Sequence, residues 1–590
     1  MTKRIRIGGA SGFWGDSDIA LPQLLREPLD YVTFDYLAEI TMSIMARARA
    51  KDPDAGYATD FVGIVSRHAA VLAETGTKLI ANAGGVNPLA CARAIEANLA
   101  KAGVPLKVGV VLGDDLLDRA SAFRAEGYKE MFSGEPVPGK LLSLNAYLGA
   151  EPIAAALAQG ADIVITGRCV DSAVTLGACI HAFGWTRADL DALAGGSLAG
   201  HIIECGAQAT GGIHTDWEDT GDWADIGYPI VTVEADGSFT VSKPRGTGGL
   251  VSVGTVAEQM LYEIGDPAAY ILPDVVCDFT QVSIVQSAPG KVRVSGARGA
   301  APTGYYKASG TFPDGFRVGA YFMIGGIDAA RKADKVAEAV FRRCERMLRE
   351  RGWAPFTETS HEAIGSETTY GALSRGRASR EVMLKVAAKH PDPRALELLV
   401  REFTSAGTSM APGLTGMGGN RPKVSPVIRL FSLLLPKTAV EVQIEIGGDL
   451  RTIADPCAIG GEVERRIAAV HDLGLPAEMT GTVPLVRLAW GRSGDKGNLA
   501  NIGVIARRPE YLPYIRHALT PQAVADVFSH YLKGKVERFD LPGTQSMNFV
   551  LHDVLGGGGV ASLRNDPQGK AYAQILLGFP IPIPEDLLAD

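Results

Sequence analysis

Short apolar segments alternate with helix-like segments through about the first 170 residues, and this alternation restricts the possible folds more than any other feature of the chain. The helix-like segments repeat apolar residues at the spacing of one helical face. Short strands separated by such helices are typical of an α/β protein with a mostly parallel, doubly wound sheet. Strands are predicted at Arg4–Ile7, Lys78–Ala81, Leu106–Leu112 and Ile163–Thr166, and helices at Tyr36–Ala50, Phe61–Glu74, Leu89–Ala102 and Pro152–Gln159.

The middle of the chain has a different pattern. Residues of about 228–322 alternate apolar and polar side chains around tight turns, which predicts an inserted antiparallel region. A long, charged helix is predicted next, over Asp328–Arg351. Ser405–Lys423 is rich in Gly, Pro, Met and Thr, which is typical of a mobile loop or of a loop that covers a ligand.

A domain boundary is predicted near 470–482, where glycine and proline recur without a clear period. The alternation of strands and helices resumes after it. We therefore expect a large α/β domain over 1–470 and a compact α+β module over 483–590, which is an ordinary domain size.

Composition argues against several classes of protein. The net charge of −8, with no long block of like charge, argues against a nucleic-acid binder. No apolar run is long enough to predict a membrane span, and the N-terminus lacks the apolar region of a signal peptide. The seven cysteines are scattered without a CxxC pair, which favours neither a disulfide framework nor a zinc site. We expect a cytoplasmic protein without a bound metal.

Glycine-rich and polar loops follow the predicted strands of the first half. Parallel strands bring their carboxyl ends to one edge of a sheet, where ligands bind. The loop around Gly9 does not fit the G-x-G-x-x-G pattern, which disfavours an oxidoreductase with NAD or FAD. The loop after Asn82 suits either an anion at a helix N-terminus or a plain turn, and both alternatives stay open. The residues predicted to contact a ligand here are Gly9, Ser11, Asn82, Gly84, Gly85 and Asp115.

Two polar segments are the candidates for catalysis. Arg168 offers a fixed fork for a carboxylate or phosphate, and Asp171 close behind it is placed to exchange a proton. If the second segment is helical, His201 shares a face with Glu204 and Cys205. That face suits acid–base chemistry by His201 or Glu204 better than a thiolate nucleophile. The alternatives are an Arg–Asp pair at a helix cap and a buried histidine.

Two more segments have open alternatives. Lys243 and Arg245 precede Gly248 in a glycine-rich loop, which suits either an anionic ligand or a structural turn. We expect these cations at the anionic-ligand side of one pocket formed by the strand-end loops. In the last module, the polar loop Arg492–Asn498 either touches ligand or joins two domains.

Many separate segments together resemble the acyclic terpene utilisation family. They occur in the same order over nearly the whole chain and include Gly8–Asp16, Asn82–Pro88, Gly160–Asp171, Gly200–Gly212, Lys243–Val253 and Leu485–Gly503. The resemblance implies a large N-terminal domain and a smaller C-terminal domain of ferredoxin-like fold. It also implies a part in the degradation of acyclic terpenoids such as citronellol and geraniol through CoA thioesters. It brings no settled catalytic residues.

The sequence and the resemblance together favour an enzyme of acyclic terpenoid or branched-chain acyl-CoA catabolism, either a lyase or a hydro-lyase. Such chemistry needs an acid–base pair and a group that stabilises an oxyanion beside the thioester carbonyl. We expect a homo-oligomer that uses no cofactor, with CoA present only as part of an anionic substrate. The alternative is a non-catalytic subunit that binds acyl-CoA or acts as a scaffold. Polar residues concentrated at strand ends favour the enzyme.

Overall fold

The computed structural model describes residues 3–416, 421–454, 474 and 479–588. Up to residue 454 its strands are β1 (Arg4–Gly9), β2 (Tyr31–Phe34), β3 (Lys78–Ala81), β4 (Val108–Leu112), β5 (Ser143–Ala146), β6 (Ile163–Thr166), β7 (Ile230–Glu234), β8 (Phe239–Ser242), β9 (Tyr270–Ile271), β10 (Val276–Asp278), β11 (Ser283–Ala288), β12 (Lys291–Ser295), β13 (Arg298–Ala300), β14 (Tyr305–Gly325), β15 (Glu358–Ile364), β16 (Glu381–His390), β17 (Leu414–Gly416), β18 (Ser425–Pro436), β19 (Val442–Ile446) and β20 (Asp449–Ile453).

The α-helices of the same part connect and cover these strands. They are α1 (Ala20–Leu24), α2 (Glu39–Arg49), α3 (Thr59–Thr75), α4 (Pro88–Ala102), α5 (Ala120–Ala125), α6 (Glu151–Ala158), α7 (Ala173–Phe183), α8 (Leu190–Ile203), α9 (Val253–Leu261), α10 (Ala329–Glu350) and α11 (Pro393–Ser409).

Five parallel strands form the centre of the main sheet, in the order β1-β2-β3-β6-β4. This confirms the predicted α/β class with a parallel sheet, and β3 and β6 have the predicted bounds. β6 inserts between β3 and β4, so the loops that follow these three strands lie side by side. Antiparallel strands extend the sheet at both edges, with β7, β8, β12 and β11 beside β1, and β19 and β20 beside β4.

Helices cover both faces of the parallel strands. In β3, Ile80 packs into the core on the side of α6–α8, while Leu79 and Ala81 pack into the core on the side of α2–α4. A parallel strand that is buried on both faces needs apolar residues throughout, because successive side chains point to opposite faces. This explains why these strands are short apolar runs in the sequence. Among the described residues, no helix is both long and apolar enough to cross a lipid bilayer.

The predicted antiparallel region of about 228–322 does not form one insertion. β7, β8, β11 and β12 join the main sheet, whereas the long strand β14 belongs to a second sheet with β5, β15, β16, β17 and β18. The predicted charged helix agrees with α10 within one residue at each end. The predicted loop Ser405–Lys423 is partly wrong, because α11 runs to Ser409 and Leu414–Gly416 is a strand. Positions 417–420 of that loop lie outside the described residues.

The C-terminal module is a four-stranded antiparallel sheet in the order β22-β23-β25-β24, covered by helices. Its elements are β21 (Gly481–Pro484), β22 (Ala489–Lys496), β23 (Leu499–Ala506), α12 (Leu512–Ala518), α13 (Pro521–Val527), β24 (Val536–Leu541), β25 (Ser546–Leu551), α14 (Tyr572–Leu576) and β26 (Pro580–Ile583). β22 and β23 pack on α9 of the larger part. Most of the boundary predicted at 470–482 lies outside the described residues.

Candidate functional site

A buried carboxyl group, Asp35, follows β2 at the carboxyl edge of the main sheet. Asn82, at the end of the neighbouring β3, donates from Nδ2 to Asp35 Oδ1 and accepts the backbone N–H of Tyr36 through Oδ1 at 2.7 Å. Ser11 donates from its hydroxyl to the backbone carbonyl of Asp35 at 3.0 Å. The predicted residues Asn82 and Ser11 therefore hold the segment that carries Asp35, a residue that is not among the candidates predicted from the sequence.

The loop after β6 carries Arg168 into the same edge. Its Nη1 forms an ion pair with Asp171 Oδ1 at 2.7 Å, and its guanidinium lies over the ring of Tyr147 at 4.1 Å. The backbone N–H of Arg168 donates to Asp114 Oδ2 at 2.8 Å, and Asn145 donates to the same oxygen at 2.9 Å. The side chain of Arg168 is buried, whereas that of Asp171 is 28% exposed. Asp171 is therefore the group of this pair that a substrate can reach.

The last turn of α8 carries His201, and Glu204 follows directly after the helix. Nδ1 of His201 lies 2.9 Å from Glu204 Oε1, and Nε2 lies 3.2 Å from the carbonyl oxygen of Met260, to which it donates. Both ring nitrogens of the buried imidazole are thus occupied. His201 therefore orients Glu204, and Glu204 is the partner closer to solvent.

Burial and repulsion by neighbouring carboxylates raise the pKa of three acids at this edge, Asp35, Asp114 and Glu204. Desolvation, followed by the charges of Asp171 and Glu204, raises the pKa of Asp35 well above its ordinary value. Desolvation also raises the pKa of Glu204, against the opposing effect of His201. Burial raises the pKa of Asp114 to about 7. Asp35, Asp171 and Glu204 act on one another, so two strand-end segments and the end of α8 converge on one acid–base cluster.

The thiol beside this cluster is not poised for nucleophilic attack. Desolvation raises the pKa of Cys205 well above its ordinary value, and the charge of Glu204 adds to the effect. A reactive cysteine needs a thiolate, which positive surroundings favour. The acid–base interpretation of the segment from His201 to Cys205 is therefore better supported than the thiolate interpretation.

The predicted ligand-binding glycines approach protein backbone. A Cβ atom at Gly9 would lie 2.4 Å from the carbonyl oxygen of Ile203, so the loop after β1 packs directly on the end of α8. A Cβ atom at Gly84 would lie 2.6 Å from the carbonyl oxygen of Thr166, and Gly85 has a positive φ of 55°. These glycines let neighbouring loops pack closely, which brings the polar side chains of the cluster together.

Asp115 and the two predicted cations have other partners. Asp115 pairs with Arg49 at 2.8 Å, while its neighbour Asp114 takes the buried position in the cluster. Lys243 donates to the carbonyl of Thr247 in its own loop, at 2.5 Å.

The rest of that loop is held by the protein itself. The exposed Arg245 pairs with Glu27 at 3.3 Å. A Cβ atom at Gly248 would lie 1.9 Å from the carbonyl oxygen of Asp222. Ser252 caps the following helix α9, so the N-terminus of that helix already has an acceptor. These contacts agree with the structural-turn alternative for Lys243, Arg245 and Gly248.

The polar loop of the C-terminal module does reach the cluster. Lys496, at the end of β22, pairs with Glu263 at 2.9 Å, and its charge also acts on Asp171 and Glu204. From sequence alone, this loop fits ligand contact and domain contact equally well. Glu263, which follows α9, was not singled out, because nothing in its local sequence marks it.

Space and metal ligands further limit what the site can do. The gap beside Arg168 and Tyr147 has a volume of about 10 Å³, room for one water molecule. The groups of the cluster that are open to solvent are Asp171 and Lys496, which are partly exposed. A cavity of about 800 Å³, lined in part by Trp353, shares no residue with the cluster. In the part of the chain that the structure describes, no three His, Cys, Asp or Glu residues are grouped to hold a metal ion.

The fold and the cluster define an α/β protein with buried, interacting carboxyl groups at the carboxyl edge of a parallel sheet. Residues 5–446 match the acyclic terpene utilisation family protein AtuA, and residues 483–582 match the AtuA ferredoxin-like domain. The chain belongs to this family, and its C-terminal module is a ferredoxin-like domain. The family is implicated in the utilisation of acyclic terpenes. Comparisons with curated proteins and with solved structures found no match.

Proposed function

We propose that this protein is an acid–base enzyme of acyclic terpenoid or branched-chain acyl-CoA catabolism, a lyase or hydro-lyase that acts on a CoA thioester. The observation that supports this proposal most is the convergence of Asp35, Asp171 and Glu204 on one edge of the sheet. Carboxyl groups in unlike surroundings divide the tasks of acid and base. No cofactor is part of the proposal, and CoA enters only with the substrate.

The surroundings of each group suggest its task. Asp171 is ion-paired and partly exposed, so it is the proposed base that takes a proton from the substrate. Asp35 has a raised pKa and is the proposed acid that gives a proton to the leaving group. Arg168 positions Asp171, and His201 positions Glu204, which is the second candidate base.

The proposal is tested by incubating the purified full chain with straight-chain and methyl-branched acyl-CoA thioesters and following products by mass spectrometry. We expect turnover of methyl-branched thioesters. Asp171→Asn keeps the shape of the side chain and should lower turnover by roughly 100-fold or more. A suitable control is Asp191→Asn, because Asp191 pairs with Arg298 at the same 2.7 Å but lies at the other end of α8, about 15 Å from His201.

Three results would contradict the proposal or its residues. If Asp191→Asn lowered turnover as much as Asp171→Asn, the loss would not be specific to the cluster. Full activity in both Asp171→Asn and His201→Gln would show that the site is misassigned. Binding of thioesters without turnover would favour the non-catalytic acyl-CoA-binding subunit. The homo-oligomeric state and the cytoplasmic location stay predictions.

A further inference from the structure

The hairpin between β22 and β23 ends beside the acid–base cluster. Lys496 at its tip pairs with Glu263, which lies three residues after Met260, and the carbonyl of Met260 accepts from His201 at 3.2 Å. Lys496 is the last residue of β22 and pairs with Leu499, so only Gly497 and Asn498 form the turn. Gly497 has a positive φ of 67°, as a two-residue hairpin turn requires at its first central position. The turn sequence thus places a lysine at the tip of the hairpin, where the C-terminal domain meets the larger part of the protein.

Glu263 holds this lysine. Nζ of Lys496 donates to Glu263 Oε2 at 2.9 Å, and Lys570 of the same domain lies 3.5 Å from Oε1. Against the effect of burial, these two ammonium groups lower the pKa of Glu263 to about 2. The glutamate is therefore a carboxylate at every ordinary pH, and it fixes the position of the Lys496 ammonium.

The backbone at Glu263 is strained, and the C-terminal domain maintains the strain. Glu263 has a φ of 58°, which is uncommon for a residue with a side chain. Asn501 accepts the N–H of Glu263 at 2.9 Å and donates to the carbonyl of Leu261 at 2.6 Å. Asn548 donates to the carbonyl of Ile264 at 2.7 Å. Strain kept by surrounding contacts is common at functional sites.

Lys496 is the most exposed of the three cations around the cluster. Its side chain is 52% exposed, whereas those of Lys570 and Arg168 are 40% and 4% exposed. Arg168 is also engaged by Asp171 and by the ring of Tyr147. Although desolvation would lower the pKa of Lys496, the charge of Glu263 and neighbouring acidic groups raises it well above its ordinary value. The ammonium therefore stays charged, and it has three N–H donors.

We propose that Lys496 is a catalytic residue that the C-terminal domain contributes to the active site, where it stabilises the negative charge on the thioester oxygen of an acyl-CoA enolate. Glu263 is its positioning residue. The inference rests on the proposed function. It explains why the cluster of the larger domain is combined with a second domain: among the described residues, the exposed cations Lys496 and Lys570 both come from that domain.

The electron pair reaches that oxygen in both proposed reactions. In the elimination of water, the bond between the α-carbon and its hydrogen breaks, the proton passes to a carboxylate, and the pair moves to the oxygen. When the enolate collapses, the β-hydroxyl leaves as water with a proton from an acid. In carbon–carbon cleavage, the β-hydroxyl gives its proton to the carboxylate. The bond between the α- and β-carbons breaks, and its electron pair moves to the thioester oxygen. A fixed donor at such an oxygen accelerates turnover by roughly 100-fold to 1,000-fold.

The test compares Lys496→Met with Lys496→Arg and a matched control in the full chain. Lys535→Met is the control, since Lys535 lies in the same domain and pairs with Glu537 at 3.0 Å. We expect Lys496→Met to lower kcat by roughly 100-fold or more with little change in KM. Lys496→Arg should recover part of this loss, because it restores a cation, and Lys535→Met should behave as the unchanged protein. Melting curves show whether each variant is folded.

A second measurement does not depend on turnover. The amines of the full chain are acetylated with and without an unreactive ketone analogue of a methyl-branched acyl-CoA, and the labelling of each lysine is followed by mass spectrometry. We expect the analogue to slow the labelling of Lys496 at least threefold and to leave Lys535 unchanged. Glu263→Gln should speed the labelling of Lys496, because its ammonium loses the carboxylate that holds it.

The outcomes separate this inference from the proposed function. Full turnover by a folded Lys496→Met would overturn the inference and leave the proposed function standing. If the unchanged protein turned over no thioester but the analogue protected Lys496, the proposed reaction would fail and Lys496 would remain a ligand contact. Equal labelling of Lys496 with and without the analogue would overturn the inference whatever the turnover.

Discussion

Two neighbouring acids that follow β4, Asp114 and Asp115, have unlike surroundings. Asp114 is buried, accepts hydrogen bonds from Asn145 and from the backbone of Arg168, and has a pKa of about 7. Asp115 is partly exposed and pairs with Arg49. The sequence places both at a strand end, and only the packing of the neighbouring β6 loop on β4 decides which of them is desolvated. Desolvation is what turns an ordinary carboxyl into a proton donor near neutral pH.

Asp114 should make stability fall as the pH rises. Its folded-state pKa of about 7 lies above its ordinary value of 3.8, so between these values the folded chain binds more protons than the unfolded chain. Stability is therefore lost with rising pH through this window, at up to roughly 1.4 kcal/mol per pH unit for one proton. Asp114→Asn should flatten the pH dependence of the free energy of unfolding, as measured by denaturant unfolding between about pH 4.5 and pH 7.5.

The comparison between the unchanged protein and the variant isolates Asp114. Asp35 and Glu204 also have raised pKa values and contribute a slope of the same sign in both proteins. The exposed pair partner Asp191 supplies a control, and Asp191→Asn should leave the slope as it is. An unchanged slope in Asp114→Asn would show that Asp114 is ionised in the folded protein throughout this window.

At the scale of elements, the contact between the β1 loop and α8 builds the site. Gly9 packs on Ile203 and Gly12 on Cys205, so the first strand-end loop rests directly on the segment that carries Glu204. A glycine pattern at a strand end is the same in a sequence whether the backbone approaches a ligand or another element. Here the structure shows close approach to protein.

Gly9→Ala should loosen this contact. Its Cβ would lie 2.4 Å from a backbone carbonyl oxygen, which cannot move aside as a flexible side chain would. We expect a loss of roughly 1–3 kcal/mol in the free energy of unfolding. Gly63→Ala is the matched control, since Gly63 lies inside α3 with only the tip of Arg67 near its Cβ position. It should gain up to about 1 kcal/mol. Equal stability of both variants by denaturant unfolding would contradict the close packing.

At the scale of the whole molecule, two asparagines of the C-terminal sheet bind the turn that follows α9. Asn501 and Asn548 also bond to each other at 2.9 Å, and both are buried. They satisfy backbone groups on the far side of the domain contact and keep Glu263 in its left-handed conformation. The ferredoxin-like domain therefore shapes part of the active edge as well as contributing Lys496 to it.

Asn501→Ala should weaken this domain contact. It leaves the N–H of Glu263 and the carbonyl of Leu261 without their partner, at a cost of roughly 1–3 kcal/mol. Hydrogen exchange followed by mass spectrometry should show faster exchange at Glu263, and turnover should fall as Lys496 loses its fixed position. Asn98→Ala, which removes a bond to Ser66 in a partly buried site, is the control. Unchanged exchange at Glu263 would show that Asn501 does not maintain the turn.

The sequence by itself determined the α/β class with its parallel sheet, because short apolar strands and amphipathic helices are local patterns that each segment carries alone, whereas the second sheet around β14 was not foreseen. It also placed Asn82 and Arg168 at one edge of the sheet, since parallel strands share a carboxyl edge. The end of α8, which carries His201, joins that edge only through tertiary packing. Only the tertiary structure decided that Asp35 and Asp114 are the desolvated acids, that Lys243 and Arg245 have other partners, and that Lys496 joins the cluster. The physical reason is that burial and charge interactions depend on groups that are distant in sequence, such as Lys496 and Glu263, and no local pattern contains them.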